Sequence, residues 1–146
     1  MNGWLMMRTA FWTDSDNGIV VLRLALGITF FLHGWHKVTH GIDNQIGVLV
    51  ASGIPGFFMY FVYVSEVLAP ILMVLGLFTR LSALSVILTM LVVFYVLPGP
   101  FFALTSFGSW NKELQLLFLA IGVALFFMGT GRYRVYNTGS RHWLLD

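Results

Sequence analysis

Cysteine is absent from the 146 residues, so the chain has no thiolate nucleophile, no dithiol–disulfide chemistry and no cysteine ligand for an iron–sulfur cluster. Charge is nearly as scarce: Asp, Glu, Lys and Arg make up 10% of the residues, with a net charge of +2. That is too little, and too scattered, for a nucleic-acid-binding surface. Only four prolines punctuate the chain. What fills the sequence is apolar, 58% of the residues with a mean hydropathy of +0.85, a composition suited to lipid rather than water. The length allows one domain.

About 20 residues at ~1.5 Å each cross a ~30 Å hydrocarbon core. Residues 18–38, 56–79, 81–97 and 112–129 form apolar stretches of about that length. The fold expected is therefore an all-α membrane protein, an antiparallel four-transmembrane-helix bundle. Residues 40–55, with Gly41, Asp43, Asn44, Gly53 and Pro55, read as a loop. A tight connection around Thr79, Arg80 and Leu81 makes the second and third spans antiparallel neighbours, and Pro98, Gly99 and Pro100 stop the third. Residues 101–110 are aromatic and turn-rich, placing Trp110 as an anchor at the water boundary. Upstream, Trp4, Leu5, Met6, Met7, Phe11 and Trp12 around Arg8 fit either an amphipathic anchor or a frayed tail. A cleaved signal peptide is not expected, because Asp14 and Asp16 precede the first long apolar run. Arg8, Arg80, Arg132, Arg134 and Arg141 fall on one side and Lys37 and Lys112 on the other, so both termini, including the basic tail 130–146, are expected in the cytoplasm.

Chemistry is expected around Glu66, the single charged residue between residues 56 and 79. Ten residues in from Gly56, it lies ~15 Å along its helix. A carboxyl at that depth is costly and is expected to face the bundle interior. Pro70, four residues on, has no N–H to give to the Glu66 carbonyl. His33, His36, Lys37 and His40 stand at i, i+3, i+4 and i+7 on the first span, with His33 roughly one turn above Glu66. Tyr63 shares the face of Glu66, and Glu113 enters from the same side on the last span. These residues predict a polar pocket in which Glu66 and His33 handle protons, lined by His36, Lys37, Tyr63 and Glu113. Each has an ordinary reading beside it. Glu66 fits a structural hydrogen bond, His33 a bond to a carbonyl or water, His36 and His40 an interfacial position, and Glu113 a favourable place at a helix N-terminus. Lys37 fits an excursion to outer water, and Arg23 fits snorkelling to the cytoplasmic surface or, as the lesser alternative, pairing with a neighbouring helix. Gly27 and Gly34, seven apart, mark a side on which another helix can approach closely. Three histidines and two carboxylates are enough ligands for zinc, copper or iron, but His40 falls past the helix end and the carboxylates sit on separate helices. No metal and no haem are therefore expected, since only His33 approaches the depth that an axial haem ligand needs.

The run LRLALGITFFLHGWHK at residues 22–37, the glutamate-bearing second span closing with LGLFTRLSAL at residues 75–84, and the span from Glu113 closing with GTGRYRVY at residues 129–136 together resemble the DoxX family of small bacterial membrane proteins. The family's recurring polar positions carry over as Arg23, His33, Gly34, Lys37, Glu66, Thr79, Arg80, Glu113, Gly129, Gly131 and Tyr133. The aromatic segment 101–110 and the arginine-rich tail depart from the pattern. The resemblance implies a multi-pass four-helix protein of the bacterial cytoplasmic (inner) membrane, in contact with the lipid bilayer. It also implies membership in, or service to, redox complexes, because the family takes its name from a subunit of a thiosulfate:quinone oxidoreductase. On that basis the chain is expected to be a membrane subunit of, or partner to, a quinone-linked oxidoreductase. Its pocket would take a quinone headgroup as cofactor, other subunits of the complex would supply electrons, and a homo-oligomer is equally compatible. As an enzyme it would be incomplete alone, because no residue set here obviously holds a redox centre. The alternative is a non-catalytic anchor or assembly factor for a larger membrane complex. A small proton pathway also fits Glu66 but lacks paired interrupted helices.

Overall fold

The computed structural model describes residues 14–97 and 99–135. Five helices make up the described chain: α1 Ser15–His40, α2 Asp43–Ala51, α3 Gly56–Leu75, α4 Thr79–Val96 and α5 Glu113–Met128. No strand occurs among the described residues beyond an isolated bridge between Leu104 and Trp110. Helices α1, α3 and α4 are long and apolar enough to cross a membrane, whereas α5 is apolar but has 16 residues. The expected N-terminal anchor, residues 1–13, and most of the basic tail, residues 136–146, lie outside the described residues.

Two boundaries differ from the sequence expectation. Residues 40–55 are not simply a loop, because α2 forms there with Asp43 in its first turn, where a negative charge meets the free N–H groups. Ile42 and Leu49 are buried, and α2 packs on the start of α3, where a Cβ on Gly56 would lie 3.0 Å from Ile46 Cγ2. The turn between α3 and α4 comes earlier than expected, at residues 76–78, so Thr79 and Arg80 belong to α4. Gly76 adopts a left-handed φ of 73°, and the Leu77 N–H donates back to the Leu72 carbonyl at 2.8 Å, a hydrogen-bonded helix stop that glycine permits.

Helix α1 lies against α3 through one stripe: Arg23, Gly27, Gly34 and Lys37 follow at spacings of four, seven and three and so share a face. A Cβ on Gly27 would sit 2.7 Å from Val74 Cγ2 and 3.1 Å from the Pro70 carbonyl oxygen. At Gly34 the approach is closer still, with the carbonyl carbon of Glu66 2.6 Å from where a Cβ would be. The expected close approach at the two glycines is therefore present, and its partner is α3. Because the obstacle at Gly34 is backbone, Gly34→Ala is expected to destabilise by about 1–3 kcal/mol or more. A methyl group added at Gly18 would meet nothing within 4 Å, so Gly18→Ala is expected to be neutral or stabilising by up to ~1 kcal/mol. Unfolding midpoints of the two variants in one detergent check the contrast, and equal midpoints would refute the close packing.

Helices α4 and α5 run against each other in opposite directions. Arg80, at the start of α4, donates to the Phe126 carbonyl near the end of α5 at 3.0 Å. Lys112, just before α5, donates to the Phe94 and Leu97 carbonyls at the end of α4 at 3.3 and 3.4 Å. Gly122 faces Ile87, Val86 and Ala83 across this contact. Leu26, Phe30, Met73, Val86, Met90, Phe118 and Leu125 fill the space between the two helix pairs.

The end holding the first residues of α1 and the last of α5 is tied by polar groups. Arg23 does not snorkel outward. It is 3% exposed and donates to the carbonyls of Met73, Val74, Thr130 and Tyr133 at 2.9, 3.0, 2.8 and 2.6 Å. One planar guanidinium thus satisfies backbone acceptors at the end of α3 and past the end of α5, a task for which its fork of donors is suited. Nearby, Arg132 pairs with Asp14 and Asp16 at 3.1 and 3.2 Å, and Thr130 donates to the Thr79 hydroxyl at 3.0 Å.

Candidate functional site

Helix α3 changes geometry as it approaches Pro70. It opens as a 3₁₀ turn over Gly56–Tyr60 and widens to a π turn over Val64–Leu68 before becoming α-helical from Ala69. The Ala69 N–H donates to the Val64 carbonyl, five residues back. The cause is local: in an α-helix the Pro70 ring would collide with the carbonyl of Glu66, and the wider turn relieves that crowding. Glu66 therefore sits inside a π turn, the kind of irregularity often found at functional sites.

The Glu66 side chain is buried, with 4% of the residue exposed. Lys37 reaches it from α1, with Nζ 2.5 Å from Oε1. The second oxygen, Oε2, is buried and accepts no hydrogen bond from the described residues. Gly34 explains how the pair can form. Its missing Cβ lets α1 press against the Glu66 backbone, and Lys37, one turn further on, then overhangs the carboxyl.

The other predicted site residues are not gathered around this pair. His33 is exposed, its Nδ1 lies 2.8 Å from the Thr29 carbonyl of its own helix, and its ring meets the edge of Phe118 on α5 at 6.1 Å. Among the described residues no hydrogen bond joins it to Glu66. The imidazole expected above the acid is thus replaced by the Lys37 ammonium, because residue 33 is turned ~100° from residue 34 on the helix. His36 is exposed and stacks on His40 with ring centroids 4.1 Å apart. Tyr63 is half-buried one turn before Glu66. Glu113 is exposed in the first turn of α5, where its charge complements the helix N-terminus. Among the described residues, no three His, Asp or Glu side chains come together in an arrangement that could hold a metal ion.

Three cations, Arg23 and Lys112 buried and Lys37 partly buried, carry more of the structure than the sequence reading assigned to them. Arg23 and Lys37 both lie on the Gly27 and Gly34 stripe, and that spacing is the signal that could have placed them against α3. Lys112, assigned only to an outer surface, is 3% exposed and covers the last carbonyls of α4. No periodic signal marks it, since it stands outside a helix.

The DoxX family model matches residues 18–99, more than half of the chain and all but the first three residues of the α1 to α4 region that builds the pair. The chain belongs to the DoxX family. A Bacillus subtilis (strain 168) protein named "Putative oxidoreductase CatD" is 30% identical over 131 residues, covering 88% of this chain and 84% of that relative. No solved structure matches the chain. The DoxX match takes in Arg23, Gly34, Lys37 and Glu66, so the glycine stripe and the acid of α3 both fall within the family region. Membership in DoxX and the apolar helices make this a multi-pass membrane protein, and the B. subtilis relative is itself named as an oxidoreductase.

Proposed function

We propose that this DoxX protein is the membrane subunit of, or a partner to, a quinone-linked oxidoreductase complex of the bacterial cytoplasmic membrane, with Glu66 and Lys37 at its quinone-handling site. On this reading α1, α3, α4 and α5 cross the bilayer as an antiparallel four-helix bundle with both chain ends in the cytoplasm. The observation that carries it is Glu66 Oε2, a buried acceptor left without a donor among the described residues, beside the partly buried Lys37 ammonium. A buried polar atom of that kind normally has a partner. A quinol hydroxyl supplies the donor that Oε2 lacks, and the ammonium suits the oxygen of the oxidised ring.

Oxidation of a quinol releases two protons and two electrons. Glu66 would accept the two protons in turn, giving the first up to water before taking the second, and Lys37, already bonded to Oε1, would hold the carboxyl in place and offset the change in charge. The two electrons would pass to a redox group on another subunit, and in the reverse direction, with that subunit supplying electrons, Glu66 would return the protons to the quinone.

Glu66→Gln keeps the shape of the side chain and an acceptor for Lys37 but removes the proton-accepting group. It is expected to reduce quinol turnover of the host complex by about 10²–10⁴-fold, the usual contribution of a positioned acid–base group, while the complex still assembles. If instead the amount of assembled complex falls and the residual complex turns over normally, the chain is an anchor or assembly factor, and the quinone site is refuted.

A further inference from the structure

We propose that residues 99–111 form an aromatic finger that enters the headgroup and upper acyl region of the bilayer, with Phe102, Leu104 and Phe107 as its lipid-facing side chains. The inference does not depend on quinone chemistry. The sequence has no Asp, Glu, Lys, Arg or His between Arg80 and Lys112, so the chargeless stretch that forms α4 continues without a break through the whole connection to α5. A connection lying in water has no reason to avoid charge over that length.

The finger has a defined shape. Leu104 and Trp110 pair as an antiparallel bridge. The Thr105 N–H donates to the Ser109 carbonyl at 2.8 Å, Asn111 N–H to Ala103 at 2.9 Å, Gly108 N–H to Thr105 at 3.0 Å and Ala103 N–H to Pro100 at 3.1 Å. The Thr105 and Ser109 hydroxyls bond each other at 2.8 Å, and the Trp110 indole N–H donates to the Phe101 carbonyl. Non-helical backbone can enter the boundary of a bilayer when its polar groups are paired in this way.

Its base is held low. The rings of Phe101 and Trp110 pack on Phe94 at 6.3 and 6.2 Å and on each other at 5.3 Å. Phe94 lies inside the last turn of α4, so the base of the finger is level with the helix end rather than above it. Lys112, bonded to the Phe94 and Leu97 carbonyls, sits 5.3 Å from the centre of the Phe101 ring and locks the base further. The opposite side of the finger carries the apolar load: Phe102 is 83% exposed, Leu104 69% and Phe107 95%. Tyr95, on the last turn of α4, is exposed as well. A ring at the headgroup level with its polar groups paired behind it matches the placement that aromatic residues favour at both membrane boundaries.

The absence of cysteine gives a direct test. Leu104→Cys and Phe107→Cys, each in the full chain, are spin-labelled, purified and reconstituted into vesicles of phosphatidylcholine with phosphatidylglycerol. Ile28→Cys, on an exposed face in the middle of α1, is the lipid reference and free label the water reference. Phe107 and Leu104 make so little contact that replacing them leaves the fold intact. Labels at 104 and 107 are expected to collide with a water-soluble nickel chelate several-fold less often than free label and with oxygen more often, approaching the Ile28→Cys values. Labels as open to the chelate as free label would overturn the proposal. So would labels that are open in vesicles of the purified protein yet shielded in native membranes, because the cover would then be another protein.

Discussion

Arg23→Met is expected to destabilise the protein by about 3–5 kcal/mol, the scale for removing one member of a buried charged arrangement. Four carbonyls lose a charged donor at once, and each such bond is worth about 1.5–3 kcal/mol before non-additivity is allowed for. Two of those carbonyls end α3 and two follow α5, so the loss separates helices that no covalent turn connects. Among the described residues no carboxylate pairs with Arg23, and the guanidinium is held by backbone dipoles alone. Arg23→Lys keeps the charge but not the planar fork, and a single Nζ cannot serve acceptors on both sides. It is expected to recover less than half of the loss. Chemical unfolding in a mild detergent measures both variants. An Arg23→Met protein within ~0.5 kcal/mol of the parent, the range of a neutral surface change, would show that the guanidinium is not the tie described.

The second large effect is an asymmetry at the Lys37 and Glu66 pair. Lys37→Met leaves an uncompensated carboxylate where Glu66 is buried, and the loss is expected at about 3–5 kcal/mol. Glu66→Gln leaves Lys37 with an amide oxygen to bond, at a cost of about 1 kcal/mol for the weaker interaction. The double variant Lys37→Met with Glu66→Gln holds no buried charge at this point and is expected to be more stable than Lys37→Met alone. The second substitution thus becomes favourable in the background of the first, a coupling of ~2 kcal/mol or more. Unfolding free energies of the four proteins under one condition give the coupling. Additive losses would mean that the two side chains do not interact. Because Glu66→Gln is the mild member of the set, loss of turnover in that variant reads chemistry rather than collapse.

Much of the architecture is written in composition and periodicity. The apolar stretches became α1, α3, α4 and α5 within a few residues of their expected bounds, because a run of that length with so few charges has one way to satisfy its backbone in lipid. Glu66 stood out for the same reason, as the one charged residue in its stretch. Gly27 and Gly34 announced a close helix contact by their spacing. The short helix α2 was concealed by Gly47 within it and by flanking turn residues, and its stability comes from packing Ile46, Leu49 and Val50 near the start of α3, which a local reading does not contain.

The sequence by itself determined that this is a helical membrane protein, where its family motifs lie, and that an acid is carried inward on the second long apolar helix. Only the tertiary structure decided what that acid meets. A helix turns ~100° and rises ~1.5 Å per residue, so stepping from His33 to Gly34 exchanges a face that looks toward Phe118 for one that presses on Glu66. Which face of α1 meets α3, and at what depth, is set by the glycine contact and the π turn ahead of Pro70. Both are relations between two helices, and for that reason Lys37 rather than His33 became the partner of Glu66, and Arg23 turned inward to cap helix ends that lie far from it in the chain.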